Sequence, residues 1–182
     1  MVVRKVKTIA FGGSMKKYIQ ALIGLLILLG LDQWTKYLAV VHLKGTGGIT
    51  LIDDVFRLQY LENRGVAFGM FQNQTWFFLP FTILIALLMI FLYYKIPASK
   101  KYFPLRLCII LVTAGAFGNI IDRARQQYVV DFFYFKLIDF PIFNVADCYV
   151  VIAVILFVIL ILFYYKEEDL ERDIPFFSNK KK

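Results

Sequence analysis

Residues 128–149, "YVVDFFYFKLIDFPIFNVADCY", carry Asp131, Asp139 and Asp147 at even intervals of eight in an aromatic and aliphatic run. An ionised carboxylate in apolar surroundings is costly unless something pairs with it. Two carboxylates brought close together can share one proton, because both do not ionise cheaply at once. One then serves as general base on a water. The other gives a proton or hydrogen bond to a carbonyl oxygen. Asp139 stands mid-segment beside Pro141 and reads as a solvated turn residue.

Other polar residues recur near the ends of apolar runs. In "LDQWTKYL", Asp32, Thr35 and Lys36 fall on one helical face, and Asp32 and Lys36 have i,i+4 spacing suited to an ion pair. That pair reads as a packing and orientation device. In "AGAFGNIIDRAR", Gly115, Gly118, Asn119 and Asp122 share a face. Small residues there permit close helix approach, and Asn can hydrogen-bond across the contact. Asp122 and Arg123 are adjacent, so each is expected to pair with a different element, and Asp122 reads as structural. In "FNVADCYVVIAV", Asn144 suits an N-cap and Asp147 the first helical turn. In "LENRGVAFGMF", Asn63 is either a turn residue beside Gly65 or a polar group aimed at a site.

The elements that must position these groups follow from composition. Of the 182 residues, 60% are hydrophobic and 18% aromatic, with mean hydropathy +0.67. Soluble domains are about 45–50% apolar. The composition therefore predicts an integral membrane protein. Four runs are long and apolar enough to span the hydrocarbon, near residues 18–38, 76–94, 103–121 and 145–165. They are continuous rather than alternating, which selects helices over a barrel. The expected fold is an all-α membrane protein, a four-transmembrane-helix bundle with a small extracytoplasmic β-sheet or cradle. For that sheet, "DVFRLQYLEN" alternates as a half-buried strand, and "YVVDFFYF" is suited to pair with it.

The net charge of +8 invites a nucleic-acid reading, but the distribution argues against it. The termini and the loop "KIPASKKYFPLR" hold 14 of the 21 Lys and Arg, leaving 7 on the other face beside 8 acidic residues. That asymmetry places both termini in the cytoplasm and the two long loops, 39–75 and 122–144, outside. Residues 1–14, "MVVRKVKTIAFGGS", read as a tag or disordered N-terminus. Residues 15–166 read as the membrane domain and 167–182 as a charged cytoplasmic tail. Cys108 and Cys148 lack metal or redox spacing, and His42 is the only histidine.

Two functions from different classes fit these residues. One is a membrane-boundary hydrolase with paired carboxylates. The other is a proton-coupled transporter or channel using the same carboxylates as a relay. A relay should be spread through the membrane depth, whereas these groups cluster at one end.

Five motifs in order add a resemblance: "DQWTK" (32–36), "NRGVAF" (63–68), "GAFGNIIDR" (115–123), "VVDF" (129–132) and "FNVAD" (143–147). The chain resembles the signal peptidase II family of bacterial membrane aspartic peptidases. The resemblance implies an endopeptidase that removes the signal peptide from prolipoproteins on the amino side of the diacylglyceryl-cysteine. It implies a catalytic dyad of Asp131 and Asp147. Asn63, Asn119, Arg123, Asn144 and Gly115 match positions that order the site or contact substrate, and Asp32, Lys36 and Asp122 match supporting ones. No metal or cofactor is implied. The expected partners are diacylglyceryl-modified prolipoproteins and membrane lipids, with a monomeric enzyme in the bacterial cell membrane and its site near the outer face. Phe68 is expected near the acyl chains. Gln127 departs from the family pattern, standing where Gly is common before "YVVDF", and Ala114 replaces one of a usual Gly pair.

Overall fold

A computed structural model describes residues 11–65 and 75–174. Its elements run α1 (Phe11–Leu43), β1 (Ile49–Ile52), β2 (Phe56–Asn63), α2 (Thr75–Lys95), α3 (Phe103–Gln126), β3 (Val129–Phe135), α4 (Val145–Ile159) and α5 (Glu167–Asp173). Short 3₁₀ turns precede α3 and follow β3, and a π-turn, Leu160–Tyr164, prolongs α4. The protein is mostly helical, with a small three-stranded antiparallel sheet.

Among the described residues three segments are long and apolar enough to cross a membrane: Met15–Leu43, Lys100–Gln126 and Val145–Tyr164. The fourth expected span, near residues 76–94, corresponds to α2, the 21-residue helix Thr75–Lys95. Among the described residues three candidate spans thus stand beside α2, and the expected count of four is not confirmed. Residues 11–14, the end of the stretch expected to be a tag or disordered, continue α1 as helix. Extending an established helix fixes one residue per hydrogen bond gained, which favours such propagation.

α3 is the hub against which α1, α2 and α4 pack. Its sequence explains this: Thr113, Ala114, Gly115, Ala116 and Gly118 are all buried. A Cβ on Gly115 would lie 2.5 Å from the Ala146 carbonyl oxygen of α4, and one on Gly118 would collide with the Asp32 carboxylate of α1. Both glycines allow a close backbone approach that a side chain would block. The outward faces of α1, α2 and α4 present Leu, Ile, Val and Phe, as a lipid-facing surface requires.

The sheet has order β1-β2-β3 and packs through Val130, Phe132, Leu58 and Tyr60 on Ala39 and Leu43 at the end of α1. The expected pairing of "DVFRLQYLEN" with "YVVDFFYF" is present, as Phe56↔Phe135, Leu58↔Phe133, Leu61↔Asp131 and Asn63↔Val129. The simple alternation expected for β2 breaks between Leu58 and Leu61, where three steps oppose two on β3. This one-residue bulge reverses the facing of the rest of β2. Gln127, the departure from Gly, ends α3 in the left-handed region (φ 66°), and its N–H donates to the Arg123 carbonyl at 3.1 Å. The turn into β3 therefore forms without glycine.

At the opposite end, the first part of the charged tail, residues 167–174, packs on the bundle through two apolar residues. After an extended Tyr165, α5 returns to the bundle and buries Leu170 and Ile174. Lys101 pairs with Asp169 at 2.7 Å, and the Tyr102 hydroxyl donates to Asp173 Oδ2 at 2.9 Å. Two apolar anchors a turn apart offset the cost of ordering this charged segment.

Candidate active site

Asp147 stands in the first turn of α4, capped by Asn144. Asn144 Oδ1 accepts from Asp147 N–H at 3.1 Å, and Asn144 N–H donates to Asp147 Oδ2 at 3.1 Å. This is a capping box with Asp as its acid. The other carboxylate oxygen, Oδ1, accepts from Asn119 Nδ2 on α3 at 3.0 Å.

Asp131 is buried on β3, 2% exposed. Its Oδ2 accepts from Asn63 Nδ2 at 2.7 Å, and its Oδ1 from Asn144 Nδ2 at 2.6 Å. Asn63 therefore does both of the things left open by its sequence: its Oδ1 accepts the Gly65 N–H at 3.0 Å, and its amide addresses Asp131. Asn63 reaches Asp131 because the bulge puts both on the same face of the sheet. Asn144 joins the two carboxylates, giving its side chain to one and its main chain to the other. Burial foremost, then the nearby Asp147 charge, raises Asp131 to about 7, against the pull of the Asn63 and Asn144 hydrogen bonds.

Beneath the pair lies a second, drier cluster. Lys36 Nζ meets Asp32 at 3.1 Å and Asp122 at 2.9 Å and donates to Asn119 Oδ1 at 2.9 Å. The i,i+4 pair expected of Asp32 and Lys36 is present, and Asp122 completes it from α3. Asp32 Oδ1 accepts the Ala146 N–H at 3.0 Å, and Asp122 Oδ2 accepts the Val130 N–H at 3.2 Å. Gln33 adds donors to Asp32 and Asp122. Sequence reasoning missed Gln33. Its place in the "DQWTK" motif beside Asp32 was the signal, and polarity alone does not give a partner.

A cleft of about 1450 Å³ opens over the pair, lined by Asn63, Asn119, Arg123, Asp131, Phe143 and Asp147 and continuing past Val151 and Ile152 of α4. Arg123 donates to the Gly65 carbonyl at 3.4 Å. Gly115 lies off the cleft and acts through packing. Asp139 is exposed and accepts from the Tyr134 hydroxyl at 2.5 Å, on the far wall of the cleft. Phe68 lies outside the described residues. Among the described residues no group of three His, Cys, Asp or Glu is arranged to hold a metal ion. Between Asp32 and Asp122 a cation is already supplied by Lys36.

The fold and site define a helical membrane protein with a buried carboxylate pair opening on a cleft at one end of the bundle. Residues 24–163 match the family model described as Signal peptidase (SPase) II. The lipoprotein signal peptidase of Streptococcus thermophilus is 43% identical over 147 residues, covering 81% of this chain and 93% of that one. That of Clostridioides difficile is 42% identical over 141 residues, covering 77% and 93%. A solved structure described as a bacterial membrane enzyme determined in meso at 2.3 Å resolution aligns with TM-score 0.69 and 28% identity, covering 90% of this chain and 93% of that one. A second such structure, at 1.9 Å, gives TM-score 0.67 and 30% identity, covering 80% and 94%. The chain belongs to the signal peptidase II family, which is a family of proteases. This membership gives the transporter reading no support.

Proposed function

We propose that this protein is an aspartic endopeptidase that removes signal peptides from prolipoproteins on the amino side of the diacylglyceryl-cysteine. The single observation carrying this reading is the convergence of Asp131 and Asp147, joined by Asn144, on one cleft. The names of the relatives supply the substrate class.

In this mechanism the carboxylate pair holds one proton. The ionised member takes a proton from water, whose oxygen adds to the scissile carbonyl carbon. The protonated member donates to the carbonyl oxygen as the tetrahedral intermediate forms. Collapse breaks the C–N bond, and the proton goes to the departing cysteine nitrogen, leaving a carboxylate on the signal peptide. Asn63, Asn119 and Asn144 hold the carboxylates so that little reorganisation accompanies the change in charge. Asp131, raised to about 7, suits a group that exchanges a proton near neutrality.

The charge asymmetry supports termini in the cytoplasm and a site near the outer face of the bacterial cell membrane, where a lipidated cysteine would lie. The enzyme is read as a monomer in contact with membrane lipids, its apolar helix faces turned to the bilayer. Residues 15–166 are read as the membrane peptidase domain, 1–14 as a tag or N-terminal extension whose last four residues continue α1, and 167–182 as a charged cytoplasmic tail whose first part packs on the bundle.

The test is processing of a lipidated precursor, followed by gel shift. Asp131→Asn and Asp147→Asn should each abolish cleavage while the protein remains folded in the membrane. Near-normal cleavage by either variant would overturn the dyad.

A further inference from the structure

The three asparagines around the carboxylate pair each have two amide faces, and only one delivers N–H groups to a carboxylate. Each is held the productive way by a donor on its oxygen. For Asn63 this is the Gly65 N–H, and for Asn144 the Asp147 N–H. For Asn119 it is chiefly Lys36, whose ammonium lies 2.9 Å from Oδ1, with a longer 3.2 Å contact from Asn144. An ammonium has only donors, so it accepts no other orientation of that amide.

Lys36 is 3% exposed, and the cleft lining does not include it. Its other two partners reach the main chain beside each catalytic aspartate. Asp32 accepts from Ala146, next to Asp147, and Asp122 accepts from Val130, next to Asp131. The segments bearing the two carboxylates are thus tied to one ammonium by separate routes, each a single residue away. Solubility or simple packing would not require that convergence.

We propose that Lys36 is a positioning residue that sets the spacing of Asp131 and Asp147 and the orientation of Asn119, acting through Asp32, Asp122 and Asn119. This role rests on the dyad reading above. It predicts a loss in the chemical step without a loss in substrate binding. Displacements on the order of 1 Å at a reacting centre cost about 100-fold.

The experiment compares Lys36→Met with the double variant Lys36→Met/Asp122→Asn in detergent-purified protein, using a lipidated precursor. Met keeps the unbranched side chain out to Cε and removes the ammonium with all its donors. The double variant also removes one carboxylate that would otherwise be buried unpaired, while Asn retains an acceptor for the Val130 N–H. The expected result is kcat about 100-fold lower with KM within twofold of the parent, for every variant that folds. Parental kcat in a folded variant would overturn the proposal, as would a change confined to KM. Failure of the double variant to fold would assign the cluster to stability alone and would equally overturn it. Asp131→Asn and Asp147→Asn, assayed alongside, keep the two readings apart. If these remain active the dyad itself fails. If they are inactive while the Lys36 variants keep full kcat, only the positioning role fails.

Discussion

The two ends of the helical bundle handle buried charge in opposite ways. At the end away from the cleft, buried cations are met by main-chain carbonyls. Lys17 donates to the carbonyls of Tyr93 at 3.2 Å and Ile96 at 2.8 Å, at the C-terminus of α2, where the helix dipole favours positive charge. Arg106 donates to the Ser99 carbonyl at 3.0 Å. At the cleft end, the Asp131 and Asp147 carboxylates are met by amide N–H groups from three asparagines and the main chain. A cation locked onto carbonyls closes a helix end. A carboxylate held by amides keeps lone pairs free toward a cleft and can carry or release a proton. Similar burial thus gives a structural fastening at one end and, in the proposed function, a reactive centre at the other.

That contrast can be broken most severely at the carboxylates. Asp131→Asn or Asp147→Asn should reduce cleavage by about 10²–10⁴-fold or more, the range for loss of a positioned acid or base. The next largest effect is expected from Gly115→Ala. Its Cβ would press on the Ala146 carbonyl and displace the start of α4, lowering stability by about 1–3 kcal/mol and cleavage with it. Thermal unfolding in detergent and the cleavage assay measure the two losses together. Lys17→Met should separate them at the other end. It leaves α2 carbonyls unpaired, so Tm falls by an amount corresponding to about 1–3 kcal/mol, while kcat per folded molecule stays within twofold. A large kcat loss there would remove the distinction between the two ends.

The dependence on pH sharpens the same comparison. Asp131 is raised to about 7, so the folded protein holds a proton that the unfolded chain has released near the ordinary 3.8. The stability this contributes is full below about pH 4 and is lost as pH rises toward 7. Tm of the parent should therefore decline over that window, and Asp131→Asn should flatten the decline. Cleavage should also fall above about pH 7 as the shared proton leaves. A parent Tm that rises between pH 4 and 7, with the flattening absent in the variant, would show that Asp131 ionises freely. The smallest effect is expected from Asp139→Asn. Its carboxylate is exposed and bonded only to Tyr134 among the described contacts, so cleavage should stay near the parental rate.

Several parts of this architecture are legible in sequence because they depend on near neighbours. The Asp32–Lys36 pair follows from helical spacing, and Asn144 announces the start of α4 by its type and position. The strand pairing of 56–63 with 129–135 follows from pattern. Where expectation and structure part, a nonlocal term intervenes. The β2 bulge is invisible in "FRLQYLEN", because a bulge is defined by the partner strand. The docking of α5 depends on Leu170 and Ile174 finding an apolar surface formed by distant helices. Gln127 takes up a glycine's conformation because the αL cap at the end of α3 needs positive φ but not the absence of a side chain.

The sequence by itself determined the apolar helical segments, the charge asymmetry between the two faces and the ordered motifs that mark the family. These are local or additive properties, set by transfer of side chains from water and by hydrogen bonding within each segment. Only the tertiary structure decided that Asp131 and Asp147 meet through Asn144, that Asn63 turns toward Asp131, and that Lys36 joins the segments behind them. Those contacts link residues as far apart as Asp32 and Ala146. Burial makes each of these groups costly unless its partner is present. Their arrangement is therefore fixed by mutual satisfaction in the packed bundle, and even spacing along the chain says nothing about it.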